Sequence, residues 1–208
     1  MTKYATIASV VICSIALHSE PAHGALRKGY LRLGFDSTFL RFGLANYNPA
    51  ESSDTTITAI TAGAAMPNTG VVFGYSVLGG LVLGARLNVG IAGSDQYFAE
   101  DHFVSWSVYP YLEYVFLKEI VRPFLTVQIG AEGLVHYQAD DTWWWGFNFG
   151  GGFGIHFFLH QNVSIDVALM PGFTIGTGEM ASPGQAQVTE FKHWRFTVAI
   201  PVGVSGWF

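Results

Sequence analysis

The last thirteen residues of the chain, FTVAIPVGVSGWF, alternate with a period of two. Read back from the end, Phe208, Val204, Val202, Ile200, Val198, Phe196 and Trp194 form one row, interrupted only by Gly206. The other row is Trp207, Ser205, Gly203, Pro201, Ala199, Thr197 and Arg195: small, polar or charged apart from one tryptophan. Successive side chains of an extended chain point to opposite faces, so this segment is a strand whose two faces meet different surroundings. Chain ends ordinarily carry small or polar residues that fray into water. An aromatic end therefore asks what Phe208 is facing.

The same period runs through the chain. Leu81, Leu83, Ala85, Leu87, Val89 and Ile91 alternate with Val82, Gly84, Arg86, Asn88, Gly90 and Ala92. Val104, Trp106, Val108, Pro110, Leu112, Tyr114 and Phe116 oppose Ser105, Ser107, Tyr109, Tyr111 and Glu113. Leu125, Val127, Ile129, Ala131 and Val135 oppose Thr126, Gln128, Gly130, Glu132 and His136, and Trp143, Trp145, Phe147, Phe149, Phe153, Ile155 and Phe157 oppose Trp144, Asn148, Gly150, Gly152, Gly154 and His156. Val163, Ile165, Val167, Leu169, Phe173 and Ile175 oppose Ser164, Asp166, Ala168, Met170 and Thr174. The first strand starts with Leu31, Leu33 and Phe35 against Arg32, Gly34 and Asp36, then loses its phase near Ser37 to Phe39, as a β-bulge would make it do.

Thr55 to Ala85 carries no charge, but Pro67, Gly70, Gly74, Gly79, Gly80 and Gly84 interrupt it, which argues against a membrane helix, and "SVLGGLVLGARL" reads as a hairpin turning at Gly79-Gly80. The expected strands span 29–45, 57–77, 81–92, 103–116, 122–138, 143–158, 163–177 and 191–208. Pro67-Asn68 is where the second would divide, giving nine. Short links ("LGG", "LKEI", "HQN") alternate with longer polar ones at 46–56, 93–102 and 178–190; the short "ADD" between the fifth and sixth strands breaks that rhythm.

Two ends of the sequence constrain where such strands reside. Lys3, the uncharged run Ala5 to Leu17 and the small-x-small Ala22-His23-Gly24 read as an export signal over residues 1–24, leaving 25–208 as one domain. Cys13, the single cysteine, leaves with it, as do His18 and His23, so disulfides play no part. A soluble sandwich would hide the apolar rows and charge the others. Here only 12% of residues are charged, so the second face lacks the charge that water contact demands. Bulky residues outside and small or polar ones inside suit a narrow closed barrel in lipid, where an open edge would leave backbone groups unpaired. Aromatic residues near the expected strand ends form two rows at girdle heights: Trp106, Tyr137, Trp143 and Trp145 on the long-loop side, and Tyr114, Phe116, Phe157 and Phe208 on the short-turn side.

On these features the chain resembles the eight-stranded outer-membrane barrels of the OmpA/OmpX and opacity-protein type found in Gram-negative cell envelopes. "RPFLTVQIGAEG" resembles the opacity-type spacing of proline, aromatic and glycines. The resemblance implies an eight-stranded antiparallel up-and-down transmembrane β-barrel inserted by the barrel-assembly machinery. It also implies that Val202, Val204 and Phe208 belong to the assembly signal, with Gly206 standing where the family usually has a large hydrophobic residue. Phe208 then ends the closing strand at the periplasmic rim.

Function candidates divide into three classes. Inward charges Arg32, Asp36, Arg86, Glu113, Glu132, Asp166 and Arg195 are expected to pair, because an unpaired charge in a narrow lumen is costly. Paired, they plug the barrel; gated, they would line a narrow solute or ion pore. A lipid A-modifying enzyme is the second class, with Ser105, Ser107, His102, His136 and Glu132 near the outer rim but no nucleophile motif around the serines. A metal site is the third: Asp95, Glu100, Asp101, Asp140 and Asp141 are loop acids without calcium-loop spacing, so a solvated surface is the better reading, with a weak cation bridge to lipopolysaccharide as the alternative. No cofactor is expected. A net charge of -5 and the lack of any Lys/Arg cluster argue against nucleic acid. The reading that results is a non-catalytic outer-membrane barrel with a structural or surface-interaction role through its loops, in contact with outer-membrane lipid and lipopolysaccharide; the extracellular partner is unknown.

Overall fold

A computed structural model describes residues 28–49, 55–62, 69–93, 102–116, 120–137, 142–181 and 188–208. The export signal expected at 1–24 and most of the expected loops lie outside these residues. The described chain is built from strands: β1 (Leu31–Pro49), β2 (Thr55–Ala62), β3 (Thr69–Leu78), β4 (Leu81–Gly93), β5 (His102–Val115), β6 (Val121–Tyr137), β7 (Thr142–His160), β8 (Val163–Ala181) and β9 (Val188–Trp207). All neighbours are antiparallel, and β9 pairs back onto β1 from Arg32–Trp207 to Pro49–Phe191, which closes the sheet into a ring.

The ring has eight staves. β2 and β3 both lie along the same edge of β1, with Ala62 opposite Leu40 and Thr69 opposite Ser37. They lie along one stave, and residues 63–68 between them are outside the described residues.

The faces are inverted relative to a water-soluble protein. Leu33, Phe73, Leu87, Leu125, Ile129, Phe147, Phe153 and Ile175 are exposed on the outer surface, whereas Arg32, Glu113, Glu132, His156 and Asp166 are buried inside. Burying one large apolar side chain is worth about 1.5–3 kcal/mol, so an outer surface covered with them is stable only against an apolar solvent. Among the described residues no helix is long and apolar enough to cross a membrane. The strands make the crossing, and the ring β1–β3–β4–β5–β6–β7–β8–β9 closes on itself where β9 pairs with β1.

Three local features set the interior. The β3–β4 hairpin turns at Gly80, whose φ of +89° and whose Cβ position, 2.6 Å from the Val115 carbonyl oxygen, both demand glycine. In β1 the register against β9 shifts between Thr38 and Leu40. This bulge sends Phe39 outward, two-thirds exposed, and moves the outward row from Leu33 and Phe35 to Phe42 and Leu44, so Arg41 turns inward. In the β8–β9 ladder, pairing passes from Val167–Val202 to Met170–Ala199 across Pro201, which has no N–H to give.

The wall is uneven in height. β7, β8, β9 and β1 run 19, 19, 20 and 19 residues, against 13 and 14 for β4 and β5. About 9–11 residues suffice to cross the apolar layer, so the β7–β1 side stands well beyond it.

Candidate functional site

The lumen holds the polar side chains, and register stacks them in layers. Nearest the short turns is a floor. Trp207 is fully buried, its indole N–H donating to Ser164 Oγ at 3.0 Å, and its ring packs against Phe158 at 5.8 Å. The Arg122 guanidinium lies 4.0 Å over the Phe158 ring. Val82, Val115 and Phe124 complete an apolar cluster around them.

Directly above lies a hub centred on Arg32. Its Nη1 donates to Glu113 Oε1 and Oε2 at 3.0 and 3.1 Å, its Nη2 to Asp166 Oδ2 at 2.8 Å, and its Nε to Ser205 Oγ at 3.0 Å. Asp166 also accepts from the hydroxyls of Ser205 and Ser164. His156 is directly opposite Asp166 in the β7–β8 ladder and bridges the two acids: Nδ1 is 2.7 Å from Asp166 Oδ1 and Nε2 is 3.1 Å from Glu113 Oε1. When His156 donates from both nitrogens, two cations balance two anions and every charged group has a partner. Its ring stacks on Phe124 at 4.3 Å, which fixes its plane.

The middle layer is looser. Arg86 Nε sits 2.7 Å from Asp36 Oδ2, Arg86 Nη1 donates to Gln128 Oε1 at 3.2 Å, and Asn88 Nδ2 donates to Ser107 Oγ at 2.8 Å. A cavity with about 50 Å³ open to water centres occupies this level, and a second of about 10 Å³ lies between it and the Arg32 hub.

The upper hub is centred on an acid. Glu132 Oε1 receives Arg195 Nη2 at 2.6 Å, Asn148 Nδ2 at 3.4 Å and the Thr174 hydroxyl, while Oε2 receives the Tyr109 hydroxyl at 2.6 Å. The Arg195 guanidinium lies 4.7 Å from the Trp144 ring, whose edge meets His193 at 5.1 Å. Phe191 and His193 are buried at this end.

The seven charges singled out in sequence thus fall into three groups: Arg32 with Glu113 and Asp166, Arg86 with Asp36, and Arg195 with Glu132. Arg41 and Arg122 also point inward, and sequence reasoning missed both. The β1 bulge hides Arg41 by breaking the phase of its strand, and Arg122 sits one residue into β6, where alternation has barely begun. His156, in the inward row of its strand, sits between Glu113 and Asp166.

On the outer surface Trp106, Tyr114, Phe116, Trp145, Phe157 and Phe208 are exposed, and Trp143 donates its indole N–H to Glu179 Oε2 at 3.1 Å. The Tyr137 and His136 side chains lie outside the described residues, as does that of His102. Val202 and Val204 face outward. Phe208 exchanges two backbone hydrogen bonds of 2.8 Å with Leu31, and its ring lies over Gly206, 2.9 Å from where a Cβ would stand. The terminal ring covers the gap that the glycine leaves.

Ser107 and Glu132, both named as rim candidates for an enzyme, are directly opposite each other across β5–β6. The Ser107 hydroxyl accepts from Asn88 Nδ2, and Glu132 accepts from Arg195, Asn148, Thr174 and Tyr109. Among the described residues no group of three or more His, Cys, Asp or Glu is placed to hold a metal ion.

A closed, eight-stave, antiparallel ring with an apolar outside and an ion-paired lumen is the fold of the small outer-membrane β-barrels. The crystal structure of neisserial surface protein A matches 87% of this chain and 100% of its own, with a TM-score of 0.54 at 14% identity. The outer membrane protein OprG from Pseudomonas aeruginosa matches over 90% and 99%, at TM-score 0.49 and 12% identity. Ail, the attachment invasion locus protein of Yersinia pestis, matches over 84% and 99%, at TM-score 0.43 and 9% identity. No family model matches the sequence, and no curated protein does. At these identities the likeness is one of fold.

Proposed function

We propose that this chain is an integral outer-membrane barrel without catalysis, a rigid pedestal that presents its loops outside the cell. The observation that carries the reading is the plugged lumen: among the described residues, two ion-paired hubs and an aromatic floor occupy its interior. The high β7–β8–β9–β1 wall supports the segments around 46–56 and 178–190 above the bilayer, where lipopolysaccharide or a neighbouring surface is the contact expected. Val202, Val204 and Phe208 serve the assembly machinery from the lipid face.

Two measurements test this. In mild detergent the refolded protein is expected to migrate differently boiled and unboiled, and in planar bilayers to give no steady conductance. A protein that stays soluble without detergent and shows no heat-dependent shift would overturn the membrane reading. Regular single-channel steps would overturn the pedestal in favour of a pore. Lipid A that changes in mass when the wild-type protein is expressed, but not the Ser107→Ala variant, would move it to the enzymes.

A further inference from the structure

His156 is fully buried and held between two acids, with Nδ1 2.7 Å from Asp166 Oδ1 and Nε2 3.1 Å from Glu113 Oε1. A neutral imidazole has one N–H and one lone pair, and an ionised carboxylate only accepts. With a neutral ring, one of the two contacts would set a lone pair against a carboxylate oxygen in a place closed to water. Turning the ring over would put carbons where the nitrogens are and lose both bonds. The two contacts are satisfied together only when each nitrogen carries a proton. The charges around the ring agree. Arg32 reaches Glu113 and Asp166 from β1, and Arg122, directly across from His156 on β6, lies 4.0 Å over the Phe158 ring. Tyr111 stands beside Glu113 in the buried row of β5. Both arginines work against a second cation here, but they meet His156 through the carboxylates or through Phe158, whereas the carboxylates touch it directly.

We propose that His156 is a proton-held latch, an imidazolium that ties β7 to β5 and β8 and, through the same two acids, to Arg32 on β1. The ring also meets the edge of Trp207 at 5.3 Å, so the latch bears on the aromatic floor and on β9. Removing the proton leaves a lone pair facing a carboxylate and an added negative charge in a closed space. The lower hub therefore loosens as pH rises. The upper hub does not, because Glu132 takes its bonds from Arg195, Tyr109, Thr174 and Asn148. An unfolded histidine titrates near about pH 6.5. Above that pH, folding takes up one proton, and the folding equilibrium constant falls about tenfold per pH unit until the latch itself releases. Below it the stabilisation is fully present.

The test uses the full refolded chain in detergent micelles with isotope-labelled histidine. At about pH 7.5, where a free histidine is mostly neutral, His156 is expected to show a directly bonded proton on each ring nitrogen. A ring with one proton would overturn the proposal. Stability gives an independent reading through Glu113→Gln. The amide donates to Nε2 of a neutral His156 and accepts from Arg32 Nη1, and Arg32 keeps Asp166 as its counter-charge. Between about pH 7 and 9 the unfolding midpoint of the wild type should fall steadily while that of Glu113→Gln stays level. Parallel slopes in the two proteins overturn the latch. If the variant does not fold, the ring protons of the wild type decide.

Discussion

The two hubs of the lumen are charge inverses of one another. Below, one cation, Arg32, gathers two carboxylates and a histidine against an aromatic floor. Above, one anion, Glu132, gathers an arginine, an amide and two hydroxyls beside a water-sized cavity. Arg32 and Glu113 are nearly inaccessible, with side chains 3% and 1% exposed, whereas Arg195 is 19% exposed. The lower hub therefore has no solvent to fall back on when a partner is lost. The upper hub does. Equal numbers of hydrogen bonds need not mean equal consequences; what matters is what can replace a missing partner.

Breaking the lower hub tests this most severely. Arg32→Met leaves Glu113 and Asp166 facing each other across His156 alone, and should cost about 3–5 kcal/mol in denaturant titrations of the reconstituted barrel. Adding Glu113→Gln and Asp166→Asn to that variant should restore much of the loss, since a neutral set has no charge to strand. If the triple variant is as weak as the single one, packing rather than charge governs the floor. Glu132→Gln should cost less, about 1–3 kcal/mol, because Arg195 is 19% exposed and solvent can replace part of what it loses. A loss equal to that of Arg32→Met would show that the two halves are energetically alike. Asp36→Asn, in the part-exposed middle pair, should fall near 1 kcal/mol in the same titration. Smallest of all, Gly206→Ala displaces only the far end of the mobile Phe208 ring and should shift the midpoint by less than about 0.5 kcal/mol.

The comparison also shows what period-two reading reaches. A strand repeats its faces every second residue, so which residues face outward was legible at Leu81–Val89 and Trp194–Phe208 without any partner in view. The loss of phase at Ser37 to Phe39 marked the bulge for the same reason. Partnership was not legible. Arg32 meets Glu113 and Asp166 across 81 and 134 residues of sequence, and only the stagger of five staves brings them to one level. Nor did alternation distinguish Trp207 from the small residues of its row, although its ring forms the floor. The second stave was ambiguous at Pro67 because a break in one strand and a turn between two look alike until the partner is known; β1 is that partner for both halves.

The mutual hydrogen bonds between Leu31 and Phe208 place the two ends of the ring side by side. A circular permutant, joined by a short linker at that point and opened in an extracellular loop, should keep every ladder while moving Phe208 to the middle of the chain. Such a molecule separates completing the wall, which Phe208 does through Leu31, from the assembly-signal role proposed for it, its use as an address. Refolding from urea into detergent with undiminished heat-dependent migration, combined with failure to insert in living cells, would assign the address to the free end. Insertion at the natural level would assign it to the strand pattern alone.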